Sequence, residues 1–494
     1  MRRFPILLFL ALLFATPAFA QFDMQLIATM QGDTEGVSFG IHLAGVGDIN
    51  KDGIEDLVVG QYGKTFIYFG SKNFDTIPDI VFPFSSGYIC SGDVNGDGVQ
   101  DLLLTRFSLL SVWIYYGGSP FDTIPDEVLV APDTISPPYT PFGLEIATGD
   151  INKDGYDDIA IHGNNNSIYI YLGGADMSTS PVYILHGPPN YFGTDGLAIG
   201  DVNGDGYDDL AVSTSERYPA DSTFIYFGGV ELDTMPRVKL IGGGVVLGDM
   251  DGDGYADIIT TNGTYFGGTS IDSLVNVGIR SRGCDGATRC TVMGRFDKDI
   301  YEDLLWGWGS VVGGDAGIYL GSNPLDTTQD WHYRDYQLGN YGAQVGAADV
   351  NGDGVDEAIV GDPGWWYNNP SYPPGRVYVY KNPYTAVEDE EHQLPHSFSL
   401  GQNYPNPFNP STTIPFSLKV QGSRFNGPIP TTLTIYNVLG QKVRTLVDER
   451  KLPGSYQVIW DGRDDSGKEV TSGIYFYQLR AEGFIDSKKL VLIK

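Results

Sequence analysis

The sequence reads as all-β: a seven-bladed β-propeller with calcium-binding loops, followed by a small immunoglobulin-like β-sandwich. Three observations carry that reading. A nonapeptide, D-x-[ND]-x-D-G-x-x-D, starts at Asp48, Asp93, Asp150, Asp201, Asp249 and Asp349, with a decayed copy at Arg295, so successive starts lie 45, 57, 51, 48, 46 and 54 residues apart. Each repeat carries four short apolar runs divided by turn residues, and several strands per repeat at such a period indicate propeller blades. Composition then changes: residues 397–494 hold 12 basic and 8 acidic side chains, although the whole chain carries a net charge of −32.

With 62 acidic against 30 basic residues, the chain lacks the basic surface that neutralises phosphates, so a nucleic-acid partner is not expected. Three cysteines and six histidines argue against a disulfide-dense scaffold or a Cys/His zinc protein. A hydrophobic content of 41%, with 13% of the chain aromatic, suffices for large cores and argues against disorder. Cys284 and Cys290 bracket Asp-Gly-Ala-Thr-Arg and leave a small bridged loop open as a possibility. Cys90 reads as a small buried hydrophobe.

The chain begins with Arg2 and Arg3, an apolar run from Phe4 to Phe14, and Ala18-Phe19-Ala20. That order is a secretory signal peptide over 1–20, cleaved before Gln21. The alternative is an uncleaved anchor, for which the run is short. No transmembrane segment is expected in the mature chain.

The first repeat shows the parts of a blade. Phe39-Gly40-Ile41-His42-Leu43-Ala44 precedes the loop, and Asp56-Leu57-Val58-Val59-Gly60 follows it. Then come Phe66-Ile67-Tyr68-Phe69-Gly70 and, after an Asp-Thr-Ile-Pro turn, Asp79-Ile80-Val81-Phe82. These are four short strands with turn chemistry between them. The seventh repeat has strands around Gln344, after Asp349 and at Arg376–Tyr380, but Lys381-Asn382-Pro383 runs on into a linker over 384–396. Met24-Gln25-Leu26-Ile27-Ala28 is a spare strand at the other end. It is expected to pair into the last blade and remove the open edge. The propeller is thus placed at 21–383.

The nonapeptide reads as a cation loop. Side-chain oxygens at positions 1, 3 and 5 converge in a tight curl, glycine at 6 allows the turn, position 7 offers a carbonyl, and position 9 closes the shell. Hard oxygen donors in such a loop suit Ca²⁺ better than Mg²⁺, which keeps water and octahedral geometry. The candidate ligands are Asp48, Asn50, Asp52 and Asp56; Asp93, Asn95, Asp97 and Asp101; Asp150, Asn152, Asp154 and Asp158; Asp201, Asn203, Asp205 and Asp209; Asp249, Asp251, Asp253 and Asp257; and Asp349, Asn351, Asp353 and Glu357. Five or six structural sites are expected. In the decayed copy Arg295 and Ile300 replace the first Asp and the Gly, so that loop is expected to be empty, with Arg295 facing Asp297, Asp299 or Asp303. The plainer alternative is a set of metal-free Asx turns.

With Phe39-Gly40, Phe142-Gly143 and Phe192-Gly193 ahead of Gly-Asp loop starts, residues 24–383 resemble the FG-GAP repeats of integrin α-subunit propellers and their bacterial relatives. The resemblance implies that calcium rigidifies each blade on one face and that ligands bind the opposite face.

Residues 397–494 show alternating runs at Thr432–Tyr436, Tyr456–Trp460, Gly473–Leu479 and Lys489–Lys494, which suit an immunoglobulin-like sandwich. Their motifs are Gln402-Asn403-Tyr404-Pro405-Asn406-Pro407-Phe408-Asn409-Pro410, Ile435-Tyr436-Asn437-Val438-Leu439-Gly440-Gln441, Trp460-Asp461-Gly462-Arg463-Asp464 and Ser472-Gly473-Ile474-Tyr475. These resemble the type A C-terminal sorting domain of type IX secretion substrates. That resemblance implies the type IX machinery as partner, a Gram-negative source, and a protein secreted or held on the outer cell surface. An ordinary adhesion sandwich is the alternative.

No nucleophile elbow, phosphate loop or histidine metal set is found, so no catalytic residue is assigned. The aromatic loop with Trp365, Trp366, Tyr367 and Tyr372 joins the second and third strands of the seventh blade, and the fourth blade carries Arg217 and Tyr218 in the matching connection. These are the candidate contacts to a glycan or surface-protein ligand, unless the rings pack under their own loop. The expected function is adhesion or recognition without catalysis. The runner-up is an extracellular polysaccharide hydrolase or lyase built on the propeller, and a third reading is a surface-layer component.

Overall fold

A computed structural model of the chain describes residues 22–32, 38–132, 142–163, 166–187, 192–214, 221–281, 290–310, 313–335, 340–364, 375–383, 399–418, 429–438, 441–452, 454–481 and 484–493. The signal peptide, the linker over 384–396, and Trp365, Trp366, Tyr367, Tyr372, Arg217, Tyr218 and Cys284 lie outside the described residues. Two compact units result, Met1–Val387 and Glu388–Lys494.

Among the described residues the first unit is built from β-strands, with a short 3₁₀ turn at Phe107–Leu109. Its described strands form seven antiparallel sheets. The first sheet runs His42–Gly45, Leu57–Gln61, Lys64–Tyr68, Ile80–Phe82 in chain order. The others repeat that order except at two places. The fifth holds three strands, Val246–Gly248, Asp257–Ile259 and Thr264–Tyr265, where four were expected; a lone Thr264–Val277 bridge stands in for the fourth. The seventh is completed from the other end of the chain. Strand Gln25–Gln31 lies antiparallel to Arg376–Lys381, with Leu26 opposite Tyr380 and Met30 opposite Val377.

Burial explains the strand sequences. Leu57–Gln61 and Asp209–Thr214 are buried at every residue because both faces meet neighbouring sheets, so they read as continuous apolar runs rather than alternation. Fourth strands such as Glu127–Val130 bury alternate side chains, as expected of an outer edge. Seven apolar clusters each join one sheet to the next. One of them sets Met30, Phe39, Leu43 and Val59 against Val350, Ile359 and Val377, so the last sheet packs on the first and the ring closes. The Phe-Gly pairs are part of this packing. Phe39, Phe142 and Phe192 are fully buried, and Gly40 turns at φ +84° where an added Cβ would meet Val377 and the Arg376 carbonyl.

The second unit is a sandwich. One sheet pairs Ser399–Leu400, Thr412–Leu418 and Gly454–Trp460, and the other runs Lys442–Lys451, Ile429–Asn437, Gly473–Ala481, Phe484–Leu492. Trp460, Tyr477, Leu433, Ile435 and Leu490 fill the core between them. The Asn-Pro-rich motif is structural here. Asn406 Oδ1 accepts the Val491 N–H at 2.9 Å, and the Phe408 N–H donates to the Val491 carbonyl at 2.9 Å, so the motif holds the last strand in place. Asn403 ties the motif to Thr412 and receives no freedom of its own: its N–H donates to the Tyr477 hydroxyl and its Nδ2 to Thr412 Oγ1, both at 2.9 Å.

Closure by the N-terminal strand is testable by calorimetry. Met30→Ala should cost about 2–5 kcal/mol, as for other buried Met truncations. Deleting residues 21–31 should lower the melting temperature by more than about 5 °C; an unchanged value would contradict closure through this strand.

Candidate metal centre

Each nonapeptide joins the first and second strands of its sheet, so all the loops lie at one end of the ring. Within a loop the first Asp organises the curl. Asp48 Oδ1 and Oδ2 accept the N–H groups of Asp52 and Gly53 at 2.9 and 2.7 Å. Asp93 and Asp349 do the same with Asp97 and Gly98 and with Asp353 and Gly354. Asp150 likewise takes Asp154 and Gly155. In the remaining two intact loops, Asp201 and Asp249 take glycine N–H groups at Gly204 and Gly206 and at Gly252 and Gly254. The fifth-position Asp then accepts the seventh-position N–H, as Asp52 does from Ile54 at 2.9 Å.

The ninth position ties the loop to its own sheet. Asp56, fully buried, accepts the Ile49 N–H on one oxygen at 3.0 Å and the Gly70 N–H, at the end of the third strand, on the other at 2.8 Å. The same pair of bonds recurs at Asp101, Asp158, Asp209, Asp257 and Asp303. Burial, followed by repulsion from the other loop carboxylates, drives these acids upward. Asp56, Asp101, Asp158 and Asp209 rise to about 7, Asp257 and Asp303 to about 8, and Glu357 to about 9. Without a cation, burial and mutual repulsion favour the protonated form of these acids.

Two further positions were not singled out by the motif. The second-position carbonyl of every loop is bonded to the following sheet. The Gly118, Gly174, Gly229, Gly268 and Ser322 N–H groups donate to Ile49, Val94, Ile151, Val202 and Met250 at 2.8–3.0 Å. Asn382 Nδ2 donates to Phe296 at 3.0 Å, and the Ser71 N–H to Val350 at 2.9 Å, which carries the pattern across the closure. The eighth-position acid reaches back to the preceding loop. Asp157, Asp208, Glu302, Asp356 and Glu55 accept the N–H of Asp93, Asp150, Asp249, Arg295 and Asp349 at 2.8–3.2 Å. Gln100 and Ala256 stand at this position in the second and fifth loops and supply no carboxylate. A signal was present in the sequence, since an acid fills position eight in five of seven copies, but adjacent acids read as one feature until the fold separates their directions.

The donor set fits a divalent cation. Asp249, Asp251 and Asp257 bring carboxylate oxygens within 4.8 Å of one another. Asn50 Oδ1 and Glu357 Oε2 are buried with no hydrogen-bond partner. Oxygens clustered, raised in pKa and left unanswered are what a hard cation would satisfy. The Arg295 loop differs as its residues dictate. Asp297 and Asp299 form only local turns, while the Arg295 charge acts to lower Asp299 and Asp356 against the burial that raises them to about 6 and about 7. Elsewhere, Cys290 is disulfide-bonded and Cys90 is free and buried.

Comparison with known proteins agrees with the repeat reading. A model described as FG-GAP-like repeat matches residues 48–104, 93–161 and 150–212, and one described as FlgD Ig-like domain matches 417–483. Mouse integrin alpha-3 is 34% identical over 83 residues, covering 14% of this chain and 8% of the integrin. Human integrin alpha-7 is 31% identical over 99 residues, 18% and 8%. Human integrin alpha-6 is 32% identical over 116 residues, 20% and 10%. The chain thus spans about a tenth or less of the length of the curated relatives it matches. A solved Agrocybe aegerita lectin, described as recognising non-reducing terminal N-acetylglucosamine, covers 72% of this chain and 95% of its own, at TM-score 0.36 and 15% identity. That likeness is too loose to carry a functional argument.

The raised acids give a signed pH dependence. Unfolded carboxylates lose their protons near pH 4, whereas the metal-free folded chain keeps them to about 7–9, so their contribution is full at low pH and is lost as pH rises through that window. With a chelator present, the melting temperature should fall between pH 6 and 9. With millimolar calcium it should fall much less, because the cation takes the place of the protons. Parallel pH profiles with and without calcium would contradict the loop assignment.

Proposed function

We propose that this chain is an exported, calcium-stabilised recognition protein that acts by binding rather than turnover. The observation that carries the proposal is an asymmetry between the two ends of the ring. At the loop end the connections repeat nearly residue for residue. At the other end the links between second and third strands vary from two residues, as between Gln61 and Lys64, to thirteen, between Asp362 and Arg376. A uniform scaffold end opposite a variable loop end is how rigid folds present binding surfaces. The FG-GAP matches and the integrin similarity support a recognition or adhesion propeller.

In this reading, calcium supplies positive charge that gathers each loop. Asp249, Asp251, Asp253 and Asp257, and their counterparts in the five other intact loops, hold it, while the second- and eighth-position bonds pass the resulting rigidity to neighbouring sheets. The ligand, a glycan or a surface protein, is met at the variable end, where the Trp365–Tyr372 and Arg217–Tyr218 segments fall in the two longest links between second and third strands. The basic sandwich acts as the address. Its Asn-Pro motif and terminal strand support the resemblance to type IX sorting domains, and residues 1–20 support prior export to the periplasm.

Two experiments test this. The calcium-loaded mature chain, screened on glycan and surface-protein arrays, should show saturable binding and no product release; turnover on a polysaccharide would contradict it. In a host with type IX machinery the full chain should reach the surface or the medium, and a chain ending at residue 398 should remain in the periplasm.

A further inference from the structure

We propose that the sixth sheet carries a binding face for neutral pyranose sugars, centred on Trp308 and outside the aromatic loops singled out in the sequence. It rests on the recognition reading above and gives it a site. Among the described strands the sixth sheet has the longest central hairpin, Asp303–Ser310 paired with Gly313–Tyr319. The fifth has the shortest. Its chain turns back between Thr260 and Gly263, where each N–H donates to the other's carbonyl at 3.0 and 3.2 Å. Counted from the loop aspartates Asp257 and Asp303, the fifth sheet ends level with Trp306, and the sixth continues past it.

The overhanging face is a two-row array set by register. Trp308 lies opposite Asp315, and Asp315 opposite Arg334; in the next row, Trp306 lies opposite Gly317, and Gly317 opposite His332. Side chains paired in this way share one side of the sheet. It is the side toward the fifth sheet, because the intervening Gly307 and Gly309 pack on Gly342 and Ala343 of the seventh. Gly317 leaves room for the Trp306 ring, which stacks on His332 at 5.9 Å and 26°. Asp315 accepts Arg334 Nε at 2.6 Å on one oxygen and Nη2 at 2.9 Å on the other. Trp306 is buried, but Trp308 is 46% exposed, and the side chains of His332 and Arg334 are 42% and 45% exposed beside a nearly buried Asp315.

An exposed indole next to a fixed carboxylate–guanidinium pair matches a pyranose. The ring offers a flat apolar platform to the C–H face of the sugar. The paired Asp315 and Arg334 offer acceptor and donor positions at one spacing, which suits adjacent hydroxyls. The groups sit on strands rather than loops, so their geometry is set in advance. Charge selects the class. The Asp315–Arg334 pair is neutral in sum and the chain carries −32, so uronates and sulfated sugars are repelled and neutral sugars are not.

The test uses the mature chain, residues 21–494, with calcium. It is screened on an array of neutral and acidic glycans, and hits are titrated by calorimetry. Trp308→Ala should lose at least about tenfold in affinity for neutral glycans and Trp308→Phe should retain most of it, the ring being the platform. Arg334→Ala should weaken binding as well. The Trp308 variants should melt within a few degrees of the parent, since Trp308 is 46% exposed. Equal glycan binding by parent and Trp308→Ala would overturn this site and leave the recognition reading intact. Binding of protein ligands alone, unaffected by Trp308→Ala, would do the same. Failure of neutral sugars to perturb the parent's tryptophan fluorescence at up to about 10 mM would also overturn it.

Discussion

A buried carboxylate that answers two backbone N–H groups recurs at the ninth position of six loops, and the ring depends on it. One bond fixes the curl of the loop, and the other fixes the end of the third strand. An Asn or Leu in place of such an Asp would leave a buried donor unanswered, at a cost of about 1–3 kcal/mol. The carboxylate brings its own difficulty, since burial and the neighbouring acids oppose its charge. A cation in the loop would resolve that conflict, and would let so acidic a chain keep its acids close together. Scaffold and candidate metal site are therefore built from the same residues rather than one being added to the other.

The same loop also joins each sheet to the next. The second-position carbonyl receives a donor from the following sheet at all seven junctions, and the eighth-position acid reaches the preceding loop at five. The two junctions without that acid, at Gln100 and Ala256, keep the carbonyl bond. Closure across the first and last sheets uses both bonds, like the junctions that carry the acid, with strand Gln25–Gln31 completing the seventh sheet.

Much of this was legible in the sequence because the information is local and periodic. Glycine at position six, alternating acids and the Tyr-Phe-Gly strand ends each have one physical reason to recur, and the spare Met24–Ala28 strand was visible by arithmetic on the strands. In the sequence the Asn-Pro motif is a family signature, and its work of pinning Val491 appears only once the terminal strand is placed. The direction of the eighth-position acids was hidden, because it depends on which sheet lies beside which. The short fifth sheet was hidden too. Its Thr260-Thr261-Asn262-Gly263 turn resembles other turns, and only comparison with the long sixth hairpin shows that Trp308 extends past the described strands of the fifth sheet and is 46% exposed. The Trp365 and Arg217 segments lie outside the described residues.

The central claim is that the repeated loops are calcium sites held within a single bonded ring. The most direct measurement is the number of calcium ions retained per chain after equilibrium dialysis, compared between the parent and an Arg295→Asp, Ile300→Gly variant. The account predicts five or six ions for the parent and one more for the variant, whose sixth loop regains its first acid and its turn glycine. No retained calcium in the parent, or no gain in a folded variant, would contradict it.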